Sequence, residues 1–369
     1  MQTTVHERVS SMKARNDLPY LPPIVEVETT SILRKAIRAN VELARLKGYC
    51  STIPNDRMLV NAIILKEAQA SSEIENIITT QDKLYQALTV RYSTTDTATK
   101  EIISYREALW HGYHLLKKRN LLTTGAVVEM QEYLEENSAG IRRLPGTALV
   151  NDRTGETAYI PPDNEKTIRD LMGNLEQYLN TADEVDPLIK MAIAHYQFES
   201  IHPFYDGNGR TGRIINVLYL VHTGLLDQPI LYLSDYIIRH KGLYYRHLQG
   251  VRDQNSWTEY INFMLDAVER TSKETFRLID SIRHLMDITT EKAKRLLPSS
   301  TYSKELIELL FVQPYTKIDF LVQNDIAERR TASKYLKQLE EVGILTSRRF
   351  WRETIYVNIE LYELLKMGR

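Results

Sequence analysis

Cysteine is nearly absent from the 369-residue chain, Cys50 being the single example, which excludes an intrachain disulfide framework. Glycine and proline are scarce, at 15 and 12, so turns and breakers interrupt little of the chain. An excess of one charge is missing as well: 47 basic and 48 acidic side chains leave a formal net charge of -1. No global field therefore draws the protein to DNA or to an anionic membrane. The longest apolar runs, such as IINVLYLV from Ile214 to Val221, are far too short to span a bilayer. The opening string MQTTVHERVSSMKARNDLPY contains no apolar stretch of the secretory kind, and these absences together predict a soluble cytoplasmic protein with no membrane partner.

What is present is helical periodicity. Leu, Ile, Glu, Lys and Arg recur at three- and four-residue spacings, which predicts a mainly α-helical protein of two or three packed units. Leu33, Ile37, Val41 and Ala44 mark one face of a helix that stops near Gly48, and a second helix runs from about Asp56 through Ile78 without a breaker. Further helices are predicted over 98–118, 124–137, 165–180 and 185–200, and again around 234–250 and 257–286. Leu149 to Pro162, LVNDRTGETAYIPP, sets Arg153, Thr154 and Gly155 between two strand-like runs, which predicts a β-hairpin. Pro298, Ser299 and Ser300 punctuate a boundary. After them the order helix, short helix, helix from Arg329 to Val342, then two strand-like runs, suits a winged helix-turn-helix.

Chemistry concentrates in His202, Pro203, Phe204, Tyr205, Asp206, Gly207, Asn208, Gly209, Arg210, Thr211, Gly212 and Arg213. Gly207 and Gly209 allow a sharp turn and close backbone approach, so that N–H groups at the next helix start can face phosphate oxygens. Arg210 and Arg213, three apart, can hold separate phosphates of one chain. Two cations at the positive end of a helix are unfavourable without an anion. Asp206 offers a hard oxygen for Mg²⁺, and a histidine such as His202 has the ordinary basicity a general base requires. The strings of a P-loop and of a Rossmann fingerprint are both missing, so those nucleotide folds are disfavoured.

The string HPFYDGNGRTGR, the lead-in HYQFESI from His195 to Ile201 and the hairpin ending YIPP together resemble the core of Fic-domain proteins, with similarity over about residues 18–290 and a family-like winged-helix tail. The resemblance implies a Fic-type helical bundle with a β-hairpin flap plus a C-terminal winged-helix domain. It implies a protein adenylyltransferase that moves AMP from Mg-ATP to a Tyr, Thr or Ser hydroxyl of a target protein and of itself. His202 would then deprotonate the hydroxyl and Asp206 would bind Mg²⁺. Gly207, Asn208 and Gly209, with Thr211 and Gly212, would cradle phosphates clamped by Arg210 and Arg213. Phe204 would anchor the loop. Doc-type kinases of the same fold carry lysine at the position of Gly209, so Gly209 favours AMP transfer over phosphate transfer. Tyr244 and Tyr245 resemble a pair flanking the adenine, with a core-aromatic reading equally open, and Arg252 stands where some relatives have asparagine.

Ser71, Glu75 and Asn76 in SSEIEN resemble the inhibitory motif of Fic proteins, in which Glu75 would pair with Arg213 and hold ATP in an unproductive pose. The same glutamate leaves AMP removal open. By the same resemblance Glu156, Thr157, Ala158, Tyr159 and Ile160 form a flap whose strand edge docks the target. Arg329, Arg330, Lys334, Lys337, Arg348, Arg349 and Arg352 leave DNA and protein both open as partners of the C-terminal module. The expected division is 1–97 for an N-terminal helical region with the inhibitory helix, 98–290 for the catalytic core and 291–369 for the winged helix. A homodimer rests on the resemblance alone, and a nucleotide-sensing DNA-binding regulator is the competing reading.

Overall fold

The computed structural model describes residues 13–52, 57–90, 96–150, 154–350 and 352–367. Helices α1 (Thr30–Cys50), α2 (Arg57–Ile74), α3 (Gln81–Thr89), α4 (Thr97–Arg119) and α5 (Thr124–Glu135) come first. A hairpin of β1 (Leu149–Val150) and β2 (Thr157–Tyr159) precedes α6 (Glu165–Asn180), α7 (Pro187–Ile201) and α8 (Asn208–His222). Then follow α9 (Ser234–Arg239), α10 (Lys241–Gln254) and the 40-residue α11 (Trp257–Leu296). The C-terminal run is α12 (Lys304–Val312), β3 (Tyr315–Thr316), α13 (Ile318–Gln323), α14 (Arg329–Glu341), β4 (Thr346–Phe350), β5 (Glu353–Val357) and α15 (Ile359–Met367). No helix among the described residues is long and apolar enough to cross a membrane. Asp56 and Arg153, singled out above, lie outside the described residues.

The chain divides into two compact units, one of residues 1–40, 104–227 and 239–268, the other of 41–103, 228–238 and 269–369. At the centre of the first is α7, buried from Leu188 to Ile201 on every face, its polar side chains Lys190, His195, Gln197, Glu199 and Ser200 included. It starts at Pro187, whose missing N–H costs nothing at that position, with Asp186 accepting the Leu188 N–H at 2.8 Å. Helices α6 and α8 pack against it, and α5 packs against α8. The antiparallel hairpin pairs Leu149 with Tyr159, as its sequence predicts.

In the second unit α2 packs against α12 and α3 against β3. The antiparallel sheet has the order β3-β5-β4, and α12, the short α13, α14 and the strands β4 and β5 follow one another in the order expected from the sequence. Tyr85 of α3 meets Tyr315 and Tyr362 with ring centroids 5.7 and 6.3 Å apart, contacts of about 0.5–1.5 kcal/mol each. The Tyr315 hydroxyl donates to the Asp82 carboxylate.

Two helices differ from their sequence reading. The face of α1 marked by Leu33, Ile37, Val41 and Ala44 is turned outward, Ile37 being 63% and Val41 58% exposed, while Ile32, Ala36, Ala39, Leu43 and Leu46 are buried. Both faces are apolar, so periodicity finds the helix without choosing the core side. Helix α2 stops at Ile74 instead of running to Ile78. Asn76 takes the left-handed conformation (φ 63°), its N–H donates to Glu73 O, and the Ile77 N–H donates to Ser72 O, both at 3.0 Å. This is a Schellman cap, in which asparagine stands in for the usual glycine.

Candidate active site

Helix α7 ends at His202, which is left-handed (φ 48°, ψ 61°) and donates its N–H to Phe198 O at 2.9 Å. That conformation is uncommon for a residue with a Cβ, and it turns the chain sharply off the helix. Phe204 is fully buried and anchors the loop that follows. The Asn208 amide closes on it: Oδ1 accepts the Phe204 N–H and Nδ2 donates to Phe204 O, both at 2.8 Å. With its side chain holding the loop, Asn208 has its backbone N–H to offer a phosphate.

Gly207 is the N-cap of α8 at φ 76°, and a Cβ there would fall on the Glu135 carboxylate. Conformation and space both require glycine. Having no side chain, it leaves the first turn of α8 without a side-chain cap, and the partial positive charge of the helix start remains for an anion. Asp206 is exposed and its Oδ1 accepts the Gly207 N–H at 2.7 Å. Gly212 lets α8 approach α7 closely, since a Cβ there would lie 2.6 Å from Glu199 Oε1.

Arg210 and Arg213 are both buried near the start of α8. Arg210 pairs with Glu135 at the end of α5, Nη2 to Oε1 2.8 Å, with side chains 4% and 13% exposed. Losing one partner of so buried a pair leaves an uncompensated charge, a cost of about 3–5 kcal/mol. Sequence reasoning missed Glu135, because helix packing brings it to Arg210 from 75 residues away. The available signal was weak: Gln131 and Glu135 share a face of α5, and Gln131 Nε2 also reaches Asp206 O at 3.4 Å.

The two histidines of the lead-in and motif have different surroundings. His195 is buried, its Nε2 lies 2.8 Å from the Tyr244 hydroxyl, and burial, with the Arg213 charge second, pushes its pKa down to about 3. It is a neutral core group. His202, at the turn, is half-buried. Tyr244 is buried and its hydroxyl is raised well above its ordinary pKa by burial and by the Glu199 charge, whereas Tyr245 is exposed. The guanidinium of Arg252 lies over the Tyr159 ring at 3.9 Å. On the flap, Glu156 and Ala158 are exposed and Thr157 half-buried. The Tyr159 hydroxyl donates to Ser200 O at 2.9 Å, and Ile160 O accepts the Arg15 N–H at 3.1 Å. Ser71, Glu75 and Asn76 belong to the second unit. There Ser71 is buried in the last turn of α2, and Glu75 and Asn76 are exposed in the cap.

A left-handed histidine, a clasped loop, an uncapped helix start and two buried arginines thus meet where α7 gives way to α8. Residues 121–220 match the Fic/DOC family, residues 33–114 the Fic/DOC family N-terminal region, and residues 285–361 the C-terminal domain described as protein adenylyltransferase SoFic-like. The chain belongs to the Fic/DOC family. It is 34% identical over 115 residues to the protein adenylyltransferase Fic of Aedes aegypti, a match covering 31% of this chain and 21% of that protein. The chain thus spans about a fifth of the length of that curated relative. Among solved structures it resembles a Fic family protein from Desulfovibrio desulfuricans G20, with TM-score 0.59 and 21% identity over 92% of this chain and 98% of the other. It also resembles residues 134–508 of Fic-1 from C. elegans, with TM-score 0.52 and 20% identity over 68% and 76% of the two chains. These two likenesses establish the fold.

Proposed function

We propose that this protein transfers AMP from ATP to a hydroxyl group of a target protein and of itself. The observation that carries the reading is the juxtaposition, within one loop and the first two turns of α8, of His202, Asp206, an uncapped helix start and two buried arginines. The first turn and Arg210 and Arg213 hold the triphosphate, and Tyr245 borders the base. His202 takes the proton of the target hydroxyl as its oxygen bonds to the α-phosphorus. The bond from that phosphorus to the bridging oxygen breaks, and pyrophosphate leaves. Asp206, an exposed carboxylate beside the phosphate cradle, fits Mg²⁺, which keeps several waters and needs few protein ligands. When bound, the ion would neutralise phosphate charge.

Glu75, whose string SSEIEN resembles the inhibitory motif of Fic proteins, restrains the reaction. Intact-mass spectrometry of wild type, Glu75→Gly and His202→Ala after incubation with Mg²⁺ and ATP tests the scheme. The expected result is a gain of one AMP per modified site, strong in Glu75→Gly, weak in wild type and absent in His202→Ala. No adduct in any of the three would reject AMP transfer in favour of AMP removal or nucleotide sensing.

The target docks along Glu156–Tyr159, the carbonyl of Ile160 being already taken by Arg15. Thr157→Pro removes one amide donor from this edge and is expected to cut target modification severalfold with ATP affinity unchanged. Full modification by that variant would discard edge docking.

A second reading is favoured by the exposure of Arg329, Arg330, Lys334 and Lys337 on α14 and of Arg348, Arg349 and Arg352 beyond it. Two of these charges have acidic neighbours, Arg329 at 2.7 Å from Asp319 and Arg348 at 3.8 Å from Asp82. If the module binds DNA, the full chain is expected to be retained on duplex DNA at low salt and released steeply as salt rises. Absence of retention at low salt would assign the module to protein contacts.

A further inference from the structure

Arg142 lies outside the motif, just before the hairpin, and is completely buried at 0% exposure. Its Nε donates to His202 O at 2.8 Å, its Nη2 to Ile201 O at 3.3 Å and also to Pro162 O, where the flap ends. Its own N–H donates to Pro203 O at 2.9 Å. The last carbonyls of a helix have no partner within it, and α7 ends inside the core. The flap region supplies the missing donors: Tyr159 of β2 serves Ser200 O, and Arg142 serves the next two carbonyls. Next to it, the N–H groups of Arg143 and Leu144 donate to the Tyr205 hydroxyl at 3.0 and 3.3 Å.

Burying a cation here is expensive. Desolvation lowers the pKa of Arg142, with Asp163 the largest opposing influence, and its Nη1 makes no hydrogen bond among the described residues. The negative end of α7 and three carbonyls offset that cost. A neutral side chain could cap one carbonyl at less expense. Only the planar fork of arginine spans the flap's exit and the turn at His202 at once.

We infer that Arg142 is a positioning residue for the transfer reaction. It locks the flap that presents the hydroxyl and the left-handed turn that carries His202 into one rigid piece, so that base and hydroxyl meet in line. The inference rests on the AMP-transfer reading above.

The test uses the full chain in the Glu75→Gly background, alone and combined with Arg142→Gln or Arg142→Lys. Self-AMP incorporation at saturating ATP is followed by intact mass, ATP affinity by titration calorimetry, and folding by thermal midpoint. The expected result is a rate about ten- to hundredfold lower in Arg142→Gln, as misplacement of reacting groups predicts. ATP affinity stays within about twofold because the phosphate cradle does not depend on this residue, and Arg142→Lys, which retains the charge at the helix end, recovers part of the rate. An undiminished rate in Arg142→Gln would overturn the inference while leaving the reaction intact. So would a joint collapse of rate, ATP affinity and thermal midpoint in both variants, which would make Arg142 a packing residue only. A Glu75→Gly parent that forms no adduct would withdraw the reaction itself, and the positioning role with it.

Discussion

His202→Asn, made in the Glu75→Gly background, is expected to lower AMP incorporation by about 10²–10⁴, the usual contribution of a general base. Asparagine is the informative replacement. The backbone at 202 is left-handed, φ 48°, a conformation that costs most side chains about 1–2 kcal/mol and that asparagine tolerates. Alanine at this position confounds loss of the base with strain in the loop, whereas asparagine keeps the turn and offers no basic nitrogen. Phosphate binding should survive, because the N–H groups of the α8 first turn and the buried arginines are untouched. Intact-mass kinetics and an ATP titration measure the two quantities separately. Adduct formation by His202→Asn at the parent's rate would remove His202 from the chemistry.

The motif from His202 to Arg213 was legible as a turn running into a helix because its parts are contiguous: the glycine turn and the arginines of the first two turns of α8 are set by neighbours within a few positions, whereas nothing in the string marks His202 as the left-handed residue. The hairpin and the order of elements in the C-terminal module were legible from alternation and turn residues. Glu135 and Arg142 were not, since their partners lie 75 and 60 residues away. Arg142 and Arg143 are adjacent and identical in type, yet one is fully buried and the side chain of the other is 69% exposed. No local pattern separates them. The outward stripe of α1 fails for a related reason, because an apolar face announces a partner without naming it. The end of α2 has a local signal in Asn76, since asparagine is the residue that most readily replaces glycine at a left-handed helix cap.

That cap shapes the other large effect. Glu75→Gly is expected to raise AMP incorporation tenfold or more over wild type. A charge-assisted hydrogen bond to an arginine contributes about 1.5–3 kcal/mol, and 1.4 kcal/mol is a factor of ten. The objection to any such variant is that glycine loosens a helix end and changes activity indirectly. Here Glu75 is the residue between Ile74, the last of α2, and the left-handed Asn76, and its N–H bonds to Ser72 O at 3.0 Å. Glycine keeps that N–H, and Asn76 and Ile77 keep theirs, so the Schellman bonds survive the substitution. Its cost is confined to about 0.5–1 kcal/mol of backbone freedom. Glu75→Gln separates the remaining explanations, since it retains size and helix-end geometry but abolishes the charge. If both variants gain activity together, the carboxylate itself is the restraint. Activation by glycine alone, with the glutamine variant as quiet as wild type, would point to loosening of the α2 end and would discard the charge-based brake.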